Sequence, residues 1–332
     1  MNTMEKSTPE VSPTQLPLAE IAGMLAEQPS SSGKVNLTAQ SSLTTALDAF
    51  EKYMKRRGFT ENTQQAFRLD MELLIEYLGA GEALSKISTA NLKAFLTWME
   101  YLREVPCSPK TLERRITTLK VFFGWLTEEE LFARDPSAPL IHHTVSAPLP
   151  AVLADEQLQA VLAATQALRQ GDEEHDPDSR PHLLVTLLLH TGIKKGECVR
   201  IALNHIDLTD REHPALWIRY QQANRRHKER RIALPVRWPN VLATYQQEYA
   251  PQQLLFPWTA RNLEYVLAKV AKRAAIPRLS FEMLRWTCAV RDKLEGLESE
   301  ELRRKLGLSQ ISWYEVEGKL ELLAQQLRGT HV

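Results

Sequence analysis

Helical periodicity runs almost unbroken between residues 42 and 140, and it limits the possible folds more strictly than any other feature of the sequence. Apolar side chains recur there every three or four residues in four successive segments, a spacing that places them on one face of an α-helix. Thr60 precedes the second segment, and Ser108 with Pro109 opens the fourth, as expected at helix starts. Four helices with short connections predict a small bundle.

The pattern changes after a proline-rich stretch from Asp135 to Pro150. A strongly apolar helical segment ends at Gly192, and two short β-type runs, Ala215–Tyr220 and Arg230–Pro235, flank a basic turn. Such a pair of runs predicts a β-hairpin, and further helical segments follow it. We predict a disordered arm over residues 1–41, a helical domain over 42–140, a linker over 141–150 and a mainly helical domain with a small sheet over 151–332.

Composition argues against several classes of protein. Of the 332 residues, 43% are hydrophobic and 25% are charged, as in ordinary globular proteins. No apolar run approaches the roughly 20 residues of a membrane span, and the polar N-terminus has no signal-peptide pattern, so we expect a cytoplasmic protein without membrane contact. The three cysteines are widely spaced and the nine histidines form no metal-spaced set. We therefore expect no metal site and no cofactor.

Charge is unevenly distributed although the formal net charge is zero. Residues 181–332 carry 24 basic and 16 acidic side chains, whereas residues 141–180 carry 2 basic and 7 acidic ones. Screening limits the reach of surface charges to roughly 10 Å, so a local basic surface matters more for phosphate binding than the total does. A neutral total is therefore weak evidence against a nucleic-acid partner.

The order of these segments resembles the tyrosine recombinase (phage integrase) family. The helical segments from Leu43 to the RDP of residues 134–136 resemble its N-terminal DNA-binding domain. LLLHTGIKKGECVRIALNHIDL, QANRRHKERRIALP and SFEMLRWTCAV with the later KLGLSQIS resemble its catalytic domain. The resemblance implies a mainly α fold with a small β-sheet, in which a core-binding (SAM-like) bundle and a catalytic-type domain form a C-shaped clamp on DNA.

In this family a tyrosine hydroxyl attacks a phosphodiester, two arginines stabilise the developing charge, and a lysine and histidines transfer protons. The resemblance puts Lys194 at the first arginine position and keeps the glutamate as Glu197. A lysine keeps the charge but cannot form the two-pronged contact of an arginine. Arg225 stands at the hairpin lysine position, and Lys228 is close enough to substitute for it.

The remaining positions differ further from the family pattern. Glu282 stands at the first histidine position and Leu308 at the second, Arg285 keeps the second arginine, and Glu317 replaces the nucleophile. A carboxylate at residue 282 or 317 would repel a phosphate at close range. We therefore expect a dismantled site in a chain that is not an enzyme. An active recombinase that uses Tyr314, three residues before the nucleophile position, is the alternative.

Basic side chains that the resemblance would lay against DNA suggest what the chain binds. The expected DNA-binding residues are Lys110, Arg114, Arg115, Lys120, Lys194, Arg225, Arg226, Lys228, Arg230 and Arg285. We predict a nucleoid-associated, sequence-preferring binder of double-stranded DNA that acts as an accessory or targeting factor in recombination, transposition or regulation. Its expected partners are DNA, further copies bound through the C-terminal helix, and an active recombinase or transposase. An adaptor that no longer binds DNA is a further alternative.

Overall fold

The computed structural model describes residues 37–141, 148–173 and 176–329. The chain divides into two compact units, residues 1–147 and 148–332. Within the described residues, the α-helices of the first unit are α1 (Leu43–Arg56), α2 (Glu61–Leu78), α3 (Thr89–Thr97) and α4 (Pro109–Glu128). Those of the second are α5 (Asp155–Gln170), α6 (Arg180–Thr191), α7 (Lys195–Cys198), α8 (Trp238–Tyr249), α9 (Ala260–Arg273), α10 (Phe281–Leu294), α11 (Ser299–Lys305) and α12 (Gln310–Gly329). The strands are β1 (Ile206–Asp207), β2 (Ala215–Ile218) and β3 (Arg230–Ala233).

The predicted fold class, mainly α with a small sheet, is confirmed. The predicted domain boundaries stay predictions. Residues 1–36 of the expected arm and 142–147 of the expected linker lie outside the described residues. The end of the arm is ordered, because the backbone N–H groups of Leu84 and Ser85 donate to the carbonyls of Ser41 and Ala39.

The first unit is a bundle in which two helices begin at the predicted caps. The Thr60 and Ser108 side chains accept hydrogen bonds from backbone N–H groups in the first turns of α2 and α4. Aromatic rings fill the core, where Phe50 lies against Phe122 and Trp125 with ring centroids 5.1 and 5.5 Å apart. The third helix differs from prediction, because after α3 the chain continues as one π-helical turn over Trp98–Leu102.

One buried carboxylate joins α2 to α4. Asp70 Oδ2 accepts hydrogen bonds from the Arg114 guanidinium and, at 2.8 Å, from the Thr118 hydroxyl, and its Oδ1 lies 3.4 Å from Arg115 Nε. Burial raises the pKa of Asp70 in spite of these two cations. The charged form of the carboxylate is therefore stabilised by its direct contacts with Arg114, Thr118 and Arg115. Arg115 is only 7% exposed, which corrects its expected role in contacting DNA: its side chain faces the bundle core.

The second unit is built around α6. Leucines along this helix are fully buried, and α6 packs against α5, α8, α9 and α10. The three strands form an antiparallel sheet in the order β1-β2-β3, with Leu216 opposite Ile232 and Ile218 opposite Arg230. The predicted hairpin is therefore present, with strands shorter than expected and a 3-10 turn over Ala223–Lys228 between them.

No helix within the described ranges is long and apolar enough to cross a membrane.

Replacing Asp70 by asparagine should lower the free energy of unfolding by about 3 kcal/mol, because it leaves two arginines beside a neutral group in the bundle interior. Chemical denaturation followed by circular dichroism measures this. Asp48→Asn, an exposed carboxylate on α1, is the matched control and should change stability by less than about 0.5 kcal/mol. Equal effects of the two variants would show that the buried pairs contribute nothing.

Candidate functional site

Lys194 lies at the junction of α6 and α7. Gly192 ends α6 with a φ of 57°, and a Cβ atom there would lie 3.0 Å from Leu306 Cδ2, so only glycine fits both the backbone conformation and the packing. The backbone N–H of Lys194 donates to Glu197 Oε2 at 2.8 Å, and its Nζ donates to the carbonyl of Gly307 at 3.4 Å. The threonine-glycine turn thus fixes where the lysine side chain begins.

Glu197 forms a buried ion pair with Arg230. The Nη1 and Nη2 atoms of Arg230 donate to the two carboxylate oxygens at 3.0 Å each, and the Tyr220 hydroxyl donates to Oε1. Burial by itself raises the pKa of this carboxyl, but the charge and hydrogen bonds of Arg230, the charge of Arg285 and the hydrogen bond from Tyr220 together lower it to about 2. The glutamate is therefore ionised throughout the physiological range.

Arg285, on α10, reaches the ends of two other helices. Its Nη1 donates to the carbonyl of Gly192 after α6, and its Nη2 donates to the carbonyl of Leu306 after α11, at 2.7 Å. Burial lowers the pKa of Arg285 to about 10, so the guanidinium stays charged at neutral pH. Helix C-termini favour cations, since their last carbonyls have no partner within the helix.

The same surroundings act on Lys194. Burial, followed by the charge of Arg285, lowers the pKa of Lys194 to about 8; Glu197 opposes this shift, and Arg230 and Lys228 add to it. Lys194 and Arg285, which come from distant parts of the sequence, are thus brought together as neighbouring cations. Such a pair can bind an anion such as a phosphate.

The residues at the altered family positions, and the nearby Tyr314, lie in different environments. Glu282 is exposed in the first turn of α10, and Leu308 is half-buried in the cluster that α10, α11 and α12 form. Glu317 accepts a hydrogen bond from the Ser299 hydroxyl at the start of α11. Tyr314 is 85% exposed on α12. The Glu317 carboxylate is therefore held by the protein itself.

The basic turn between β2 and β3 leaves some of its cations at the surface. Arg226 is exposed and Arg225 is half-exposed. Arg230, which we also expected to contact DNA, has a side chain that is 8% exposed and paired with Glu197. That expectation is corrected, because a phosphate could reach this guanidinium only if the ion pair opened. The alternation of side chains along a strand could have predicted this burial. Arg230 lies two residues before the buried Ile232 and therefore points to the same face of the sheet.

On α4 of the first unit, Lys110 is exposed in the first turn. Lys120 is half-exposed, and its Nζ donates to the Ala138 carbonyl at 3.4 Å. Arg114 is turned towards Asp70 and also donates to the Ala66 carbonyl at 3.3 Å. Of the four cations expected on this helix, the two lysines are therefore the ones best placed to meet a partner.

Comparison with known proteins finds a matching family model and similar proteins. Residues 47–130 match the phage integrase, N-terminal SAM-like domain. The chain is 31% identical over 168 residues to the tyrosine recombinase XerC of Mycobacterium leprae (strain TN), which covers 50% of this chain and 54% of that protein. It is 27% identical over 171 residues to the tyrosine recombinase XerC of Mycobacterium sp. (strain JLS), which covers 51% and 56%. The chain thus spans about half the length of the curated relatives that it matches.

Solved structures share the fold. A lambda integrase dimer bound to a COC′ core site matches with a TM-score of 0.63 at 16% identity, over 93% of this chain and 84% of that one. XerH site-specific recombinase in a post-cleavage complex with palindromic difH substrate matches with a TM-score of 0.65 at 16% identity, over 87% and 84%. At this identity the likeness shows the fold alone.

The expectation that the chain is not an enzyme is contradicted by these comparisons. The relatives that match half of the chain are named as recombinases, which are enzymes. The expectation came from five altered positions, whereas the relation to these relatives extends over about 170 residues. The altered positions describe how this chain departs from the family pattern.

Replacing Glu197 by glutamine should lower the free energy of unfolding at neutral pH by about 3 kcal/mol, because Arg230 then loses its buried partner. The pKa of Glu197 is depressed to about 2, so its stabilising contribution is complete above the unfolded pKa of about 4.3 and is lost as the pH falls towards 2. The difference between the two proteins should therefore shrink over that interval. Denaturation curves at several acidic pH values measure it.

Glu282→Gln is the control, because this glutamate belongs to the same expected site but is exposed. A Glu197→Gln protein as stable as the control at neutral pH would rule out a stabilising ion pair.

Proposed function

We propose that this chain, as a member of the tyrosine recombinase family, binds double-stranded DNA with sequence preference and acts in site-specific DNA recombination. The observation that carries the proposal is the convergence of Lys194 and Arg285 on adjacent carbonyls, within a fold shared with recombinases that were solved on DNA. Two neighbouring cations held by neutral acceptors keep their positive charge available for a phosphate.

The proposed contacts fall into three groups. Lys194 and Arg285 form the central phosphate site, together with the nearby charge of Lys228. The basic turn adds contacts to the DNA backbone, with Arg226 at its exposed side. Lys110, on α4, is the proposed contact of the first unit. Phosphate contacts of this kind set the register on DNA, whereas sequence preference needs side chains that reach base edges.

Self-association on DNA is the second part of the proposal. Apolar side chains are exposed along α12: Ile311 is 74% exposed and Leu322 is 51% exposed, eleven residues apart and so on nearly the same face. Exposed apolar positions on one helix face favour contact with another protein surface. Lambda integrase and XerH, which share the fold, were solved as a dimer and on a palindromic substrate respectively.

DNA strand cleavage is the second candidate function, and its motivating observation is Tyr314. This tyrosine is exposed on α12, one helical turn before the expected nucleophile position. A tyrosine nucleophile would attack a phosphodiester, expel the 5′-oxygen and leave a 3′-phosphotyrosyl bond, with the cations stabilising the charge on the phosphate oxygens.

Binding should weaken steeply with salt. We expect that fragments enriched from genomic DNA bind the full chain at low salt, and that the affinity falls linearly on a double-logarithmic salt plot. Arg226→Gln and Lys110→Gln should each reduce that slope by about 1, because each removes one phosphate contact. Lys86→Gln, an exposed lysine outside the proposed contacts, should leave the slope unchanged. Failure to bind any fragment at low salt would contradict the proposal and favour an adaptor without DNA binding.

Strand cleavage predicts a covalent protein–DNA adduct. A suicide substrate, nicked so that the cleaved end diffuses away, should trap the chain on DNA, and the adduct should survive denaturing electrophoresis. Tyr314→Phe should abolish it, because phenylalanine has no hydroxyl to attack the phosphodiester. Tyr265→Phe, an exposed tyrosine on α9, is the matched control and should leave the adduct intact. Adduct formation by the Tyr314→Phe protein would exclude this nucleophile.

A further inference from the structure

Four consecutive carbonyl oxygens each accept a hydrogen bond from a different basic side chain. They belong to residues 305–308, which we call the carbonyl turn. The donors are Arg230 Nε to Lys305 at 2.7 Å, Arg285 Nη2 to Leu306 at 2.7 Å, Lys194 Nζ to Gly307 at 3.4 Å and Arg303 Nη1 to Leu308 at 2.6 Å. The turn begins at Lys305, the last residue of α11, where the helix leaves its last carbonyls without partners within the helix.

Arg230 differs from the other donors in the number of its contacts. It binds both oxygens of Glu197, the carbonyl of Lys305 and, at 3.3 Å through Nη1, the carbonyl of Lys228. These contacts use four of the five N–H groups of a guanidinium. Lys194, by contrast, makes one long hydrogen bond to the turn, which a phosphate could replace at little cost.

Gly307 shows how closely the guanidinium lies beneath the turn. Its φ is 60°, and a Cβ atom built there would lie 2.6 Å from Arg230 Nη1 and 2.7 Å from Arg230 Cζ. Any other residue at position 307 would therefore push Arg230 away, as well as being strained in this backbone conformation. Arg230 and Gly307 together fix the position of the carbonyls that hold Lys194 and Arg285.

We propose that Arg230 is a positioning residue: braced by Glu197, it fixes the carbonyl turn and thereby the placement and charge of Lys194, and it does not itself contact DNA. This inference rests on the proposed DNA binding. The charged groups that act on Lys194 are Arg285 on α10, Glu197 on α7, Arg230 on β3 and Lys228 in the basic turn. Removing Arg230 alone takes away one cation and leaves Glu197 unpaired, and both changes favour the charged form of the lysine.

The test compares DNA affinity across neutral to alkaline pH and across salt concentrations, using a duplex that the full-length wild-type chain binds. In the wild type the affinity should fall as the pH rises through about 8, where Lys194 loses its proton. Arg230→Met should weaken binding by about tenfold, the equivalent of about 1.4 kcal/mol, and should move this fall to higher pH. The salt slope should stay unchanged, because no phosphate contact is lost.

The double variant Arg230→Met/Glu197→Gln guards against misfolding, because it leaves no unpaired buried charge. Arg230 lowers and Glu197 raises the pKa of Lys194, so the double variant removes two opposing effects on that pKa. The fall in affinity should therefore stay near its wild-type pH while the loss of affinity remains. Arg231→Met, the neighbouring exposed arginine of β3, is the matched control and should leave the pH dependence unchanged.

Each other outcome has a definite meaning. A salt slope reduced by about 0.9 in Arg230→Met with the pH dependence unmoved would show that Arg230 contacts a phosphate, and would overturn the inference. Folded single and double variants with wild-type affinity and pH dependence would overturn it as well. Absence of DNA binding by the wild type itself would instead refute the proposed function on which the inference rests.

Discussion

The ion pair between Glu197 and Arg230 is the interaction on which the second unit depends most. Both side chains are almost fully buried, so each charge would be costly without the other. The pair joins α7, which begins beside Lys194, to strand β3, and the Lys305 carbonyl adds the end of α11 to the same guanidinium. Three elements that are far apart in sequence therefore meet at one charged contact.

The hydrogen-bond acceptor of a basic side chain determines whether its positive charge remains available to bind an anion. A carboxylate cancels a positive charge, as Glu197 does for Arg230, whereas Asp70 shares its single negative charge between Arg114 and Arg115. A backbone carbonyl orients a cation without cancelling its charge, and this is the acceptor that Lys194 and Arg285 meet. The first group of cations therefore stabilises the fold, while the second keeps a positive potential for an anion. Counting basic residues along the sequence does not separate these two groups.

Local signals predicted the helices, while tertiary contacts decided the site. The caps at Thr60 and Ser108 depend on neighbours within one turn, so the sequence predicts them well. The burial of Arg115 could not be predicted in this way, because its partner Asp70 lies on another helix and the adjacent Arg114 reaches the same carboxylate. The π-helical turn after α3 had no sequence signal that we recognised.

Two hydrogen bonds connect α12, which carries Tyr314 and Glu317, to the start of α11. Trp313 Nε1 donates to the Ser299 hydroxyl at 3.0 Å, and that hydroxyl donates to Glu317, so two residues of α12 are tied to the first residue of α11. Tyr314 lies between them in sequence but points to solvent. Rotating α12 to turn Tyr314 towards the cations would break both hydrogen bonds, and would also move the Arg303 contact that holds the Leu308 carbonyl. Glu317, which the resemblance puts at the nucleophile position, therefore tethers α12 to α11. Any cleavage by Tyr314 requires DNA contacts that compensate for releasing that tether, because a conformational change needs a ligand that favours the new state.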